Sequence, residues 1–178
     1  MLNKETTGLM IVDVQGKLAE QMHESSALFA QLRLLIQGAN LLELPIIWME
    51  QLPDKLGTTR PELREVLPGE ALVKSTFSGM QEPTIAKAVK EQKISQWLVA
   101  GLEAHVCVYQ TVGDLLAQKY GVHLVTDGVS SRTQANKELA IRKMHSMGAQ
   151  LTSVEMALFE LQKQAEGPVF KQLIQLIK

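Results

Sequence analysis

Short apolar runs alternate with stretches of helical period along nearly the whole chain, and that alternation leaves few architectures open. Thr7-Gly8-Leu9-Met10-Ile11-Val12 is a short, largely apolar run that stops at Asp13, as a strand buried on both faces does. From Ser26 to Leu44 the apolar residues Leu28, Leu32, Leu35, Ile36, Ala39 and Leu42 keep a helical spacing. Pro45 closes that helix, and Ile46-Ile47-Trp48-Met49 reads as a second strand. Ala71 to Lys74, Gln96 to Ala100, Val122 to Val125 and Ala149 to Thr152 have the same strand character. Helices are expected near 82–92, 106–119, 133–147, 154–165 and 169–177. Strands alternating with helices build a parallel sheet covered on both faces, so the expected fold is α/β, a three-layer α/β/α Rossmann-like arrangement around a six-stranded parallel sheet.

The excursion from Gln51 to Gly69 contains Pro53, Gly57, Pro61 and Pro68, with room for a short helix at 62–66. Such a loop at a strand end is well placed to line a site. The C-terminal run from Val169 to Ile177 is amphipathic and fits either its own domain or a second subunit. With 178 residues, 46% of them hydrophobic, the chain suits one core, and 1–178 reads as a single domain.

A net charge of −1 without any Lys/Arg run argues against a nucleic-acid partner, and no apolar stretch has membrane-spanning length. The single cysteine excludes an internal disulfide framework, and four scattered histidines supply no familiar zinc spacing, so neither metal nor cofactor is expected. The N-terminus does not resemble a signal peptide, and a reducing cytoplasm suits the composition.

In parallel sheets of this kind, ligands bind beyond the carboxyl ends of the strands, near the point where strand order reverses. Asp13 and Lys74 each end a strand, and Cys107 begins the helix after the fourth. A carboxylate, an amine and a thiol at neighbouring strand ends form a plausible nucleophilic set. Asp13 can accept the thiol proton, Lys74 can steady the charges and Cys107 can attack a carbonyl carbon. A thiol at a helix N-terminus is expected to have a lowered pKa, and backbone N–H groups there would face an oxyanion. Taken singly, a strand-end aspartate is more often a cap, a lysine solvated and a lone cysteine a small buried hydrophobe.

The runs Ile11-Val12-Asp13-Val14-Gln15, Lys74-Ser75-Thr76-Phe77-Ser78 and Gly101-Leu102-Glu103-Ala104-His105-Val106-Cys107-Val108 resemble, in order and spacing, the signatures of the isochorismatase-like cysteine hydrolase superfamily. Glu50 to Thr59 and Asp127 to Arg132 look most like its compact branch of isochorismatase-domain-containing proteins. The resemblance implies Asp13, Lys74 and Cys107 as a catalytic triad. It also implies a cis peptide at Leu102–Glu103, with the amides of Glu103 and Cys107 toward the oxyanion, and a homo-oligomer. Retention of the cysteine looks like the amidase members, which act through a thioester on small amides. Members that cleave the vinyl ether of isochorismate typically lack it. The Asp-x-His metal motif of nicotinamidases is replaced here by Trp48-Met49-Glu50-Gln51.

Gln15, Glu50, Gln51 and Phe77 are candidate substrate contacts from loops and strand ends, and His105 is a candidate structural or pocket-lining residue. The expected activity is cofactor-independent hydrolysis of a small amide, carbamoyl compound or ester. The alternatives are isochorismate-type ether hydrolysis, or a non-catalytic small-molecule-binding or scaffold oligomer.

Overall fold

The computed structural model describes residues 1–178. The elements in chain order are β1 (Thr7–Val12), α1 (Gly16–Glu20), α2 (Ser25–Leu41), β2 (Ile46–Gln51), α3 (Pro53–Leu56), α4 (Pro61–Arg64), β3 (Leu72–Lys74) and α5 (Pro83–Glu91). They continue with β4 (Gln96–Gly101), α6 (Tyr109–Ala117), β5 (Gly121–Val129), α7 (Gln134–Ser146), β6 (Gln150–Thr152), α8 (Val154–Gln162) and α9 (Gly167–Ile177). The six strands form one sheet in the order β3-β2-β1-β4-β5-β6, and all neighbouring pairs are parallel. The order reverses between β1 and β4, which are hydrogen-bonded to each other at the centre.

Alternate residues of β1 explain why that strand is apolar throughout. Leu9 and Ile11 belong to a core layer shared with Leu32, Ile36 and Leu158, whereas Met10 and Val12 pack in the other layer with Ile85, Val112 and Met144. Helices α2, α8 and α9 therefore cover one face, and α5, α6 and α7 the other. A strand buried on both sides has no polar face to show. The amphipathic C-terminal run packs on its own sheet: Leu173 of α9 is fully buried, with Val169 and Ile177 against the same layer.

Two features at the sheet's centre bring distant parts of the chain together. Gly101 has φ +116, and a Cβ there would overlap the carbonyl oxygen of Val12. Only glycine permits so close an approach of β4 to the end of β1 in that conformation. Leu102 N–H then donates to Val12 O at 2.7 Å. Gly101→Ala is expected to lower unfolding stability by at least about 2 kcal/mol through strain and overlap, measured by urea titration.

The backbone after Gly101 also corrects one expectation. No peptide bond is cis, so Leu102–Glu103 is trans where the resemblance implies cis. Two short helices, α1 and α3, were not foreseen in the sequence. Each has at most five residues, too few for an apolar period to show.

Candidate active site

Asp13 follows β1 with φ +49, a left-handed conformation that aspartate tolerates better than most residues. Lys74 is the last residue of β3, and its register partner on β2 is Gln51. Cys107 lies in a single wide helical turn, Ala104–Val108, closed by Val108 N–H donating to Glu103 O at 3.2 Å. The turn leads directly into α6. Wide turns of this type concentrate at functional sites.

These three residues, far apart in sequence, meet at one point. The Lys74 ammonium is completely buried and donates to Asp13 Oδ2 at 2.6 Å, Gln51 Oε1 at 2.9 Å, Thr76 O at 3.0 Å and Phe77 O at 3.2 Å. Cys107 Sγ is placed to donate to the same Gln51 oxygen at 3.3 Å. Gln51 thus joins nucleophile to cation, a role for which its residue type in the sequence gave no sign. Asp13 Oδ1 is buried and has no donor other than the neighbouring thiol. Glu103 N–H also lacks a protein acceptor, although the amides on either side, Leu102 and Ala104, donate to Val12 O and Ser130 O.

Burial pushes the Cys107 thiol up to about 12, and the Asp13 charge reinforces this against the opposing pull of Lys74. This reverses the lowered value expected of a thiol at a helix start. Desolvation and a neighbouring carboxylate outweigh the turn's dipole, so the resting group is a thiol. Burial likewise raises Asp13 above the usual carboxylate range, with Lys74 opposing and Glu50 adding to the shift. Breaking the buried pair by Lys74→Met should cost about 3–5 kcal/mol and lower Tm by roughly 10 °C. The deficit should shrink at low pH, where Asp13 is neutral, as a thermal melt series would read.

A cleft of about 100 Å³ opens at this point, with Asp13, Gln51, Glu103 and Cys107 at its floor and Leu18, Leu56, Phe77, Leu102 and Val106 as apolar walls. Leu18 on α1, Leu56 on α3 and Val106 were not singled out from sequence. Leu56, an apolar residue beside Gly57 in an otherwise largely polar loop, carried a usable signal. A larger depression of about 520 Å³ lies by the amino ends of β1 and β2, near Asn3, Leu42 and Lys163, away from the nucleophile.

The other expected contacts separate into two groups. Phe77 is about half exposed at the mouth of the cleft, and Gln51 lies on its floor. Gln15 borders the cleft, but its amide is occupied: Nε2 donates to Gln51 O and Gly57 O, and Oε1 accepts from Gln51 N–H. Glu50 accepts from Thr59 N–H at 2.6 Å and does not line the cleft. Together with Gly16 N–H donating to Thr58 O, these bonds fasten the loop carrying Leu56 across the end of β1. His105 also lies outside the cleft, its ring nitrogens facing Ser131 Oγ at 2.9 Å and Asn136 Nδ2 at 3.4 Å. Two residues before Cys107 on one turn, its side chain diverges from the thiol.

A match to the isochorismatase domain spans residues 7–156, from the start of β1 into α8. The chain belongs to the isochorismatase family. Family membership places it among hydrolases. The "Secreted isochorismatase effector Isc1" of Phytophthora sojae is 33% identical, over 96% of this chain and 83% of that protein. Among solved structures, the "MAR1 Ribonuclease" of Caenorhabditis elegans superposes with a TM-score of 0.91 at 35% identity, covering 99% of this chain and 91% of that one. The YcaC product of Escherichia coli, described as an octameric hydrolase of unknown specificity, shares the fold with a TM-score of 0.93 at 22% identity, over 98% of this chain and 89% of that one. No three His, Cys, Asp or Glu side chains in this member of the family are gathered as a metal site, and no helix is long and apolar enough to cross a membrane.

Proposed function

We propose that this isochorismatase-family chain is a cysteine hydrolase that cleaves a small amide, carbamoyl compound or ester through a thioester on Cys107. The observation that carries the reading is the shared hydrogen-bond centre, in which one buried ammonium holds Asp13 and Gln51 while Cys107 Sγ rests on the same Gln51 oxygen. Asp13 takes the thiol proton as Sγ bonds to the carbonyl carbon. The developing oxyanion is met by the free Glu103 N–H and by the amide of Cys107. When the tetrahedral adduct collapses, Asp13 returns the proton to the leaving nitrogen or oxygen. Asp13 then deprotonates a water that attacks the thioester, and the departing sulfur recovers its proton from Asp13. Lys74 remains charged throughout and keeps the second oxygen of Asp13 in place.

The resting thiol's raised pKa supports a mechanism in which deprotonation accompanies attack rather than preceding it. The same machinery gives isochorismate-type ether cleavage no use for Cys107. The ribonuclease name of the C. elegans structure raises phosphodiester cleavage as a second reading. Against it stand the chain's net charge of −1 and the carboxylates Asp13 and Glu103 at the cleft. Residues 1–178 act on this reading as one domain without metal or cofactor, and a free catalytic thiol suits a reducing cytoplasm. A homo-oligomeric state is part of the same reading, in keeping with the octamer described for the E. coli structure of the same fold.

The test is intact-mass spectrometry after rapid acid quenching of the enzyme with a panel of small amides, carbamoyl compounds and esters. An acyl adduct that maps to Cys107 and disappears as substrate is consumed is expected. Turnover of a panel member with no adduct under any quench time, and undiminished in Cys107→Ala, would overturn the reading.

A further inference from the structure

We infer, resting on the thioester reading above, that the substrate is a carboxamide whose acyl half is a short, uncharged aliphatic group. Size, charge and hydrogen-bonding capacity of the cleft converge on this class.

The cleft volume is about 100 Å³. That is smaller than the roughly 150 Å³ cavity known to take up benzene, so a chain of a few carbons suits the space beside Cys107 better than a six-membered ring. The walls facing that chain are Leu18, Leu56, Phe77, Leu102 and Val106, none of which can hydrogen-bond through its side chain.

Charge excludes anions. The only cation at the floor is Lys74, which has no exposed surface and already has four oxygen partners. Arg132 is turned to the cleft residue Glu103, to whose Oε2 both its Nε and its backbone N–H donate. A carboxylate or phosphate on the acyl group would find no unpaired cation and would lie against Asp13 and Glu103 in a partly desolvated space.

Hydrogen bonding selects the amide among the neutral carbonyl compounds. At the floor the buried Asp13 Oδ1 has no donor other than the neighbouring thiol, and Glu103 N–H has no protein acceptor. A carboxamide has N–H groups for the first and a carbonyl oxygen for the second. An ester supplies the oxygen but no N–H, so Asp13 Oδ1 would have only the thiol to satisfy it, whereas an amide adds a second donor.

Iodoacetamide and iodoacetate probe the charge requirement directly, being nearly equal in size and differing by one carboxylate. The rate ratio at Cys107, followed by peptide mass, in which the thiolate fraction cancels, is divided by the ratio at 2-mercaptoethanol to remove the difference in the reagents' intrinsic reactivity. The normalised preference for iodoacetamide should be at least about tenfold. Glu103→Gln, which frees Arg132, should move the ratio toward unity. A wild-type ratio near unity, or a native Cys107 closed to iodoacetamide, would overturn the inference whatever the variant does.

Butyramide, succinamate, benzamide and methyl butyrate extend the test to turnover. Butyramide should have the highest kcat/KM of the four by at least about tenfold. Parity with succinamate, benzamide or the ester would overturn the substrate class, as would failure to hydrolyse butyramide. An acyl adduct on Cys107 from any of the four would keep the thioester reading. Failure of that parent reading has a different signature, turnover that survives Cys107→Ala.

Discussion

Cys107→Ala should lower kcat/KM for any substrate found by about 10⁴-fold or more, because a nucleophile and its base act as a unit and no second thiol exists to replace it. The fold should tolerate the change. Cys107 sits in a close-packed layer beside Val108 and Val112, but the truncation removes only a sulfur at a cleft already open to solvent. A melting temperature within about 4 °C of wild type is expected, which separates lost chemistry from lost structure. Residual activity above about one per cent would mean that Asp13 directs water without covalent help, and the ether-hydrolase alternative would then gain ground.

Asp13→Asn should produce two effects of opposite sign. Turnover should fall by about 10³-fold or more, since the base that receives the thiol proton and returns it to the leaving group is gone. Alkylation of Cys107 should nevertheless quicken. The thiol is held up to about 12 first by burial and next by the Asp13 charge, while Lys74 pulls the other way. Replacing the carboxylate by a neutral amide removes the second cause and leaves the ammonium unopposed. The thiol pKa falls, and at pH 8 each unit of fall multiplies the thiolate fraction about tenfold. A rate measured with iodoacetamide from pH 7 to 10 reads both limbs: a continuous rise in wild type, and a faster reaction with an earlier plateau in the variant. A variant slower in both assays would indicate a disrupted site rather than an altered charge.

The sheet was legible because its strands are apolar on both faces, and only a parallel sheet between two helical layers buries such runs. All six strands occur where the sequence places them. The longest boundary error is at β5, which is expected to end at Val125 but continues through the polar and small residues Thr126, Asp127 and Gly128 to Val129. Pairing to β4 resumes at Gly101 and Val129 after an irregularity in register, a tertiary effect without a local sign.

The positions of Asp13, Lys74 and Cys107 at one edge followed from the same alternation and from the family resemblance. What lay beyond reach was the occupancy of side chains. Gln15 and Glu50 had the polarity of substrate contacts, yet each is consumed by backbone groups of Gln51 or of the 52–60 loop. Gln51 looked no different from them and stands at the centre of the site. The thiol's raised pKa was equally hidden, because it depends on burial and on a carboxylate more than ninety positions away in the chain.

The strand that delivers Lys74 has three residues and forms one margin of the sheet, paired on one side only. Margins of a sheet open at lower free energy than its centre, where β1 and β4 are held on both sides. Catalytic competence and global folding should therefore part company under mild urea: the ammonium leaves its carboxylate while most of the sheet stays protected from hydrogen exchange. On the proposed mechanism, activity should report the integrity of one edge strand rather than of the whole sheet.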